Sequence, residues 1–241
     1  MKKLITLALA FCAVATTNAQ WGKRINGDGN IVTIERSVGD YDEVALAGWF
    51  DVDLVSGKEG ELTLEGESNL LEHIKTEVKN GTLLIKVEKG VNLKPSSWGK
   101  GIRITVPVES ISSVSLSGSG DIVGKTTLAA NDFSTRISGS GDVSLTVNAK
   151  SVNAALSGSG DINLSGKTTD LDIQVSGSGD VKAYELEADF VTVAVSGSAD
   201  VRVTANESIQ ARVSGSGDIS YRGNPKKIDS KSSGSGDISK G

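Results

Sequence analysis

Apolar and polar residues alternate in short runs along most of the chain. Val143, Leu145 and Val147 share one parity, with Ser144 and Thr146 between them. After the polar Asn148, Ala149, Lys150 and Ser151, the alternation resumes at Val152, Ala154 and Leu156. The following unit gives Ile162 and Leu164, a polar SGKTTD, then Leu171, Ile173 and Val175. A period of two predicts half-buried strands. Unit length varies in the polar stretch, which therefore reads as a loop, so each unit predicts strand, loop, strand and corner.

The corner is the most repetitive element. SGSGD begins at Ser117, Ser138, Ser157, Ser176, Ser214 and Ser233, and Ser196 begins the variant SGSAD; the spacings are 21, 19, 19, 20, 18 and 19. An aliphatic residue follows every copy and precedes all but the last, which has Ser232. A fixed period of this length is the mark of a repeat architecture. By parity, Leu116, Gly118, Gly120 and Ile122 face inward, and Ser117, Ser119 and Asp121 face outward. Two inward glycines let the backbone bend sharply or approach the opposite wall. An antiparallel array of hairpins is the rival, but the linkers are longer than a two-residue turn and vary in length. The expected fold is all-β, a right-handed parallel β-helix-like solenoid with repeats of about 19 residues.

Weaker copies stand upstream. LAGWFDV at 46–52 and INGDGNI at 25–31 align position by position with LSGSGDI. Phe50, at the second glycine position, is predicted to turn its ring inward. Residues 53–114 then form a β-rich insertion with strands at 61–65 and 102–107, a short helix at 68–73, and a hairpin at Asn80-Gly81. The expected organisation is a signal peptide at 1–19, a β-rich region with degenerate first coils at 20–115, and the repeat solenoid at 116–241.

The signal peptide rests on Lys2 and Lys3, the apolar run from Leu4 to Val14, and small residues before a cleavage site after Ala19. Phe11 before Cys12 argues against a lipoprotein signal. Cleavage takes Lys2 and Lys3 from the 25 basic residues, leaving 23 against 30 acidic and a net charge of −7. It also removes the only cysteine, and with it any disulfide or cysteine-ligated zinc. An acidic chain argues against nucleic acid and anionic membranes as partners. No segment predicts a membrane-spanning helix. The protein is expected to be exported, and to be periplasmic, secreted or associated with the cell surface.

Stacked in register, Asp121, Asp142, Asp161, Asp180, Asp200, Asp218 and Asp237 form a column at about 4.8 Å per rung. Neighbouring carboxylates that close repel by about 1 kcal/mol even in water. The structural account has each Asp accept hydrogen bonds from nearby Ser and Gly N–H groups. The alternative is a row of Ca²⁺ sites, but one carboxylate per coil is thin for six to eight oxygen ligands. No cofactor is expected. His73, the only histidine, leaves catalytic triads and histidine metal sites short of parts. The repeated acids suit multivalent contact better than one reaction centre, so no catalytic residue is assigned. The alternatives are a carbohydrate-active β-helix enzyme and a purely structural envelope component. Candidate contact residues are Trp49, Lys94, Trp98 and Lys100, where indoles beside lysines could stack on a sugar or seat a protein. Against them stands a long loop at 89–101 that packs on the domain body. Pro225, Lys226 and Lys227 before the last copy suit a terminal coil, since proline and lysine discourage edge pairing; an oligomer would cover that edge instead.

The run YDEVALAGWFDV at 41–52, ESNLL at 67–71, NGTL at 80–83, ITVP at 104–107 and the serial SGSGD units together resemble the auto-transporter adhesin head GIN domain family. The resemblance spans roughly 31–238. It implies a secreted or surface β-solenoid-like protein of a Bacteroidetes-type bacterium, with adhesion as its proposed role, and supplies no catalytic residues. The expected function is a non-catalytic protein that presents an extended Ser/Asp-lined face to an extracellular or envelope glycan or protein. No translocator follows the final SGSGDISKG, so retention outside the cell would need a partner.

Overall fold

The structure is a computed structural model that describes residues 22–97 and 101–241. The predicted signal peptide, Trp98 and Lys100 lie outside the described residues. The first elements are β1 (Lys23–Asn26), β2 (Ile31–Ser37), β3 (Glu43–Gly48), β4 (Asp51–Ser56) and β5 (Glu61–Glu67). Next come α1 (Ser68–Leu71), β6 (Ile74–Lys79), β7 (Thr82–Val87), β8 (Val91–Lys94), β9 (Arg103–Val108) and β10 (Ser113–Gly118). The repeats supply β11 (Ile122–Gly139), β12 (Val143–Gly158), β13 (Ile162–Gly177), β14 (Val181–Gly197) and β15 (Val201–Gly215). The chain closes with β16 (Ile219–Arg222), β17 (Lys227–Gly234) and β18 (Ile238–Lys240).

Each long strand from β11 to β15 is one coil, hydrogen-bonded in parallel to the coil on either side, and the molecule is a β-solenoid of about 7 turns. A coil has two walls. In β12 the first wall buries Val143, Leu145 and Val147, and the second buries Val152, Ala154 and Leu156. Burying one such aliphatic side chain is worth about 1.5–3 kcal/mol, and like residues stack over like from coil to coil.

The polar stretch between the walls is not a loop. Ala149 pairs with Thr168 and Ser151 with Asp170, so the ladder runs through the bend. Differences in unit length are absorbed as bulges, as between Val123 and Thr127 and between Ala183 and Glu187. Once stacked, these backbone groups find partners on neighbouring coils, which a free loop would have left to water.

The glycines answer to the coil beneath rather than to the opposite wall. A Cβ on Gly139 would lie 2.1 Å from the carbonyl oxygen of Gly118, and Gly139 has φ +145°. The second glycine sits as close to the coil beneath, a Cβ on Gly141 lying 2.0 Å from the carbonyl oxygen of Gly120, but it has no positive φ, and Phe50 and Ala199 take its place in two corners. The Phe50 side chain is buried, as its inward parity predicts.

Residues 53–114 close one end of the stack. β7 extends the second wall beneath β3, and β9 extends the first wall beneath β4, both in parallel. Beyond them the direction reverses: β6 pairs antiparallel with β7 about the Asn80-Gly81 turn, and β5 pairs antiparallel with β9 and β2. The helix buries Leu70 and Leu71, and the Arg36 guanidinium donates to the carbonyls of Leu71 and Ile74. The INGDGNI copy is off the stack. Its β1 forms a separate two-stranded sheet with β8, and β2 runs antiparallel to β5. A sequence alignment at the right interval could not reveal that the partner strand beneath β3 is β7.

Candidate functional site: a serine-walled groove

Each corner is tied to the next by its aspartate. The Asp142 N–H donates to Oδ1 of Asp121 (3.0 Å), and those of Asp161, Asp180, Asp200, Asp218 and Asp237 donate in turn to the preceding aspartate at 2.8–3.1 Å. Asp51 starts the series, accepting from the Asp121 N–H at 3.3 Å. The donors are thus the aspartates' own amides, one coil on, rather than the Ser and Gly N–H groups expected. Those bond elsewhere, as when the Ser140 N–H donates to the Gly118 carbonyl (2.8 Å). A carboxylate accepting a backbone N–H makes a charge-assisted bond, which offsets repulsion along the column. Lys182 also donates to Oδ2 of Asp161 (2.7 Å). Burial raises the Asp161 pKa, but the Lys182 and Asp180 hydrogen bonds outweigh it and hold the carboxyl below its ordinary value. With one oxygen of each linked carboxylate engaged, the column reads as a structural brace. Among the described residues, no three His, Cys, Asp or Glu side chains gather as a metal site.

The concavity lies on the other side of the corner, along the outer surface of the second wall. It is a groove of about 810 Å³ running across the coils from β10 to β17. One side is the column of first motif serines, Ser117 to Ser233, paired rung to rung. The other is the column two residues earlier: Ser115, Arg136, Ala155, Gln174, Ala194, Arg212 and Lys231. Between them runs the backbone of residues such as Leu156 and Val175, whose side chains are buried in the core. Ala155 and Ala194 put short side chains on the rungs either side of Gln174. The corner aspartates do not line it, so the motif serines and corner aspartates form two surfaces rather than one.

The predicted contact residues fall elsewhere. Trp49 sits at the corner between β3 and β4, half-buried against the core and edge-on to Phe50 at 6.1 Å between centroids. Lys94 is exposed on β8, in the small sheet with β1, so it and Trp49 do not share an element. The stretch read as a loop at 89–101 contains that strand. His73 bonds Glu88 through Nδ1 (2.9 Å). The residues that sequence reading missed are Arg136, Arg212 and Lys231. Extending the repeat alignment two positions upstream of each serine would have put them in one column.

A family model described as putative auto-transporter adhesin, head GIN domain, matches residues 40–225. Similar solved structures include a putative adhesin from Bacteroides fragilis, with TM-score 0.84 and 24% identity over 90% of this chain and 99% of that one. A putative lipid binding protein from Parabacteroides distasonis has TM-score 0.75 and 26% identity over 91% and 100%. A putative adhesin from the same species has TM-score 0.72 and 20% identity over 91% and 100%. No curated protein matches the chain.

Proposed function

This chain belongs to the putative auto-transporter adhesin, head GIN domain family, and from that premise we propose that it is a non-catalytic, adhesin-like protein that holds an extended glycan or protein segment in the serine-walled groove. The groove carries the reading. It offers a hydroxyl on every rung over seven coils, so its contacts repeat along a line instead of converging on one point. Repeated weak contacts add through effective concentration, which suits attachment. The related structures are named as adhesins or as a lipid binding protein rather than as enzymes. Among the described residues, no helix is long and apolar enough to cross a membrane. Membership of an adhesin-named family supports an extracellular or cell-surface location, and the signal peptide read at 1–19 would deliver the chain there.

The test is binding of the chain from residue 20 onward to immobilised glycans and to cell-surface extracts. Ala155→Trp with Ala194→Trp would fill the groove from its outer side without entering the core. The expected result is binding by the parent protein and its loss in the filled variant, with unchanged melting. Equal binding by both would move the site off the groove, and catalytic breakdown of a bound glycan would revive the enzyme.

A further inference from the structure

The groove's charge runs against that of the chain. The whole sequence carries −5, yet the charged residues lining the groove are Arg136, Arg212 and Lys231 against Asp172 alone, a local +2. Arg212 is paired with Asp229, and Asp172 accepts from Gln174 Nε2 (3.1 Å). Arg136 and Lys231 make no ion pair or side-chain hydrogen bond with the described residues. Both stand in one column, five rungs or about 24 Å apart at the spacing of a β-ladder, with Ala155, Gln174, Ala194 and Arg212 on the rungs between.

We propose that the ligand of this groove is an acidic polysaccharide lying along the solenoid axis, its anionic groups on Arg136 and Lys231 and its hydroxyls on the serine column. The inference rests on the groove reading and adds the ligand's class. Unpaired cations spaced five rungs along one column match a linear polyanion better than a compact ion. A serine hydroxyl both donates and accepts, as does each sugar hydroxyl, so one column of each can interlock without fixing direction. An arginine fork fits a carboxylate or sulfate in two parallel bonds. The net negative charge of the rest of the chain favours the groove over other faces for such a ligand.

The experiment measures binding of chondroitin sulfate, with dextran as the neutral control, to the chain from residue 20 onward. The variants are Arg136→Gln, Lys231→Gln, the pair together, and the groove-filling Ala155→Trp. The expected results are chondroitin sulfate binding that weakens as salt rises, little dextran binding, and at least about tenfold loss in the paired variant with unchanged melting. Equal affinity for dextran, or an unaffected paired variant, overturns the acidic assignment. If such neutral binding is still lost in Ala155→Trp, the groove reading survives alone. Chondroitin sulfate binding that survives Ala155→Trp overturns both. Absence of any polysaccharide binding overturns the acidic assignment, leaving the groove to be judged on surface extracts.

Discussion

The two ends of the solenoid solve the same problem differently. At the first end, strand direction reverses: β6 and β5 pair antiparallel against the last parallel strands, and Leu70, Leu71 and Ile74 are buried against them. Arg36 donates to the carbonyls of Leu71 at the helix end and Ile74 at the start of β6, and the Tyr41 hydroxyl donates to the Pro107 carbonyl. At the last end the pattern simply runs on while its inward residues turn polar, and all eight residues of β17 are exposed. Ser230 and Ser232 stand in register with Ala211 and Val213, which the preceding coil buries, and Ile228 is 51% exposed. Closure by reversal seals a core. Closure by composition removes the need for one, leaving a coil held mainly by its backbone ladder.

Identical motifs should therefore carry different weight along the stack. Gly158 and Gly234 share a positive φ, and a Cβ on either would lie 2.1–2.2 Å from the carbonyl oxygen of the glycine beneath. Gly158→Ala is expected to cost at least about 4 kcal/mol in denaturant unfolding, because coils on both sides hold it in place. Gly234→Ala should cost less than about 1 kcal/mol, since the terminal coil can peel away. Equal costs would break the comparison.

A second pair sharpens it. Phe50→Ala empties a buried site near the sealed end and should cost about 3–5 kcal/mol. Ile228→Ala should stay within about 0.5 kcal/mol, as at other exposed positions. Thr135 gives a smaller effect of opposite sign. It is buried on the second wall in register with Val114 and Ala154, and its hydroxyl has no partner among the described residues. Thr135→Val should raise stability by about 1 kcal/mol, because no hydrogen bond is lost and a desolvated hydroxyl is removed.

The smallest effect lies in acid. The folded-state pKa of Asp161 lies below its ordinary value of 3.8, so the folded state binds fewer protons than the unfolded state between those two values. Its contribution is present above about pH 4 and is lost as pH falls through the lowered folded value. Asp161→Asn should flatten the acid limb of the stability curve below about pH 4 relative to the parent. Asp237→Asn should cost less stability at neutral pH than Asp161→Asn, since no described residue donates to the Asp237 carboxylate while Asp180 and Lys182 donate to that of Asp161. Equal costs in the two variants would separate the linkage from position in the stack.

Much of the solenoid could be read from the chain because its cause is local. Leu116, Ile122, Val143 and Leu156 have the parity and interval that determine which side is buried, and the Asn80-Gly81 turn needs no tertiary information. What depended on register could not be read. Parity gave Gly118 and Gly120 one role, whereas only Gly118 has a positive φ and Phe50 and Ala199 can occupy the second position. The aspartates were correctly placed in a column, but their donors lie a full period away, beyond any local turn rule. The same limit misplaced the INGDGNI copy and hid β8 within a presumed loop. The groove was harder still. Trp49 draws attention by its chemistry, while Arg136 and Lys231 gain meaning only from sharing a column.

The aspartate linkage gives every rung the same upper and lower interface. A whole coil can then be added or removed with each junction remade from parts already present, because the shared corner is what joins one coil to the next. Evolution can thereby lengthen or shorten the reach of the molecule in unit steps, without inventing a new fold.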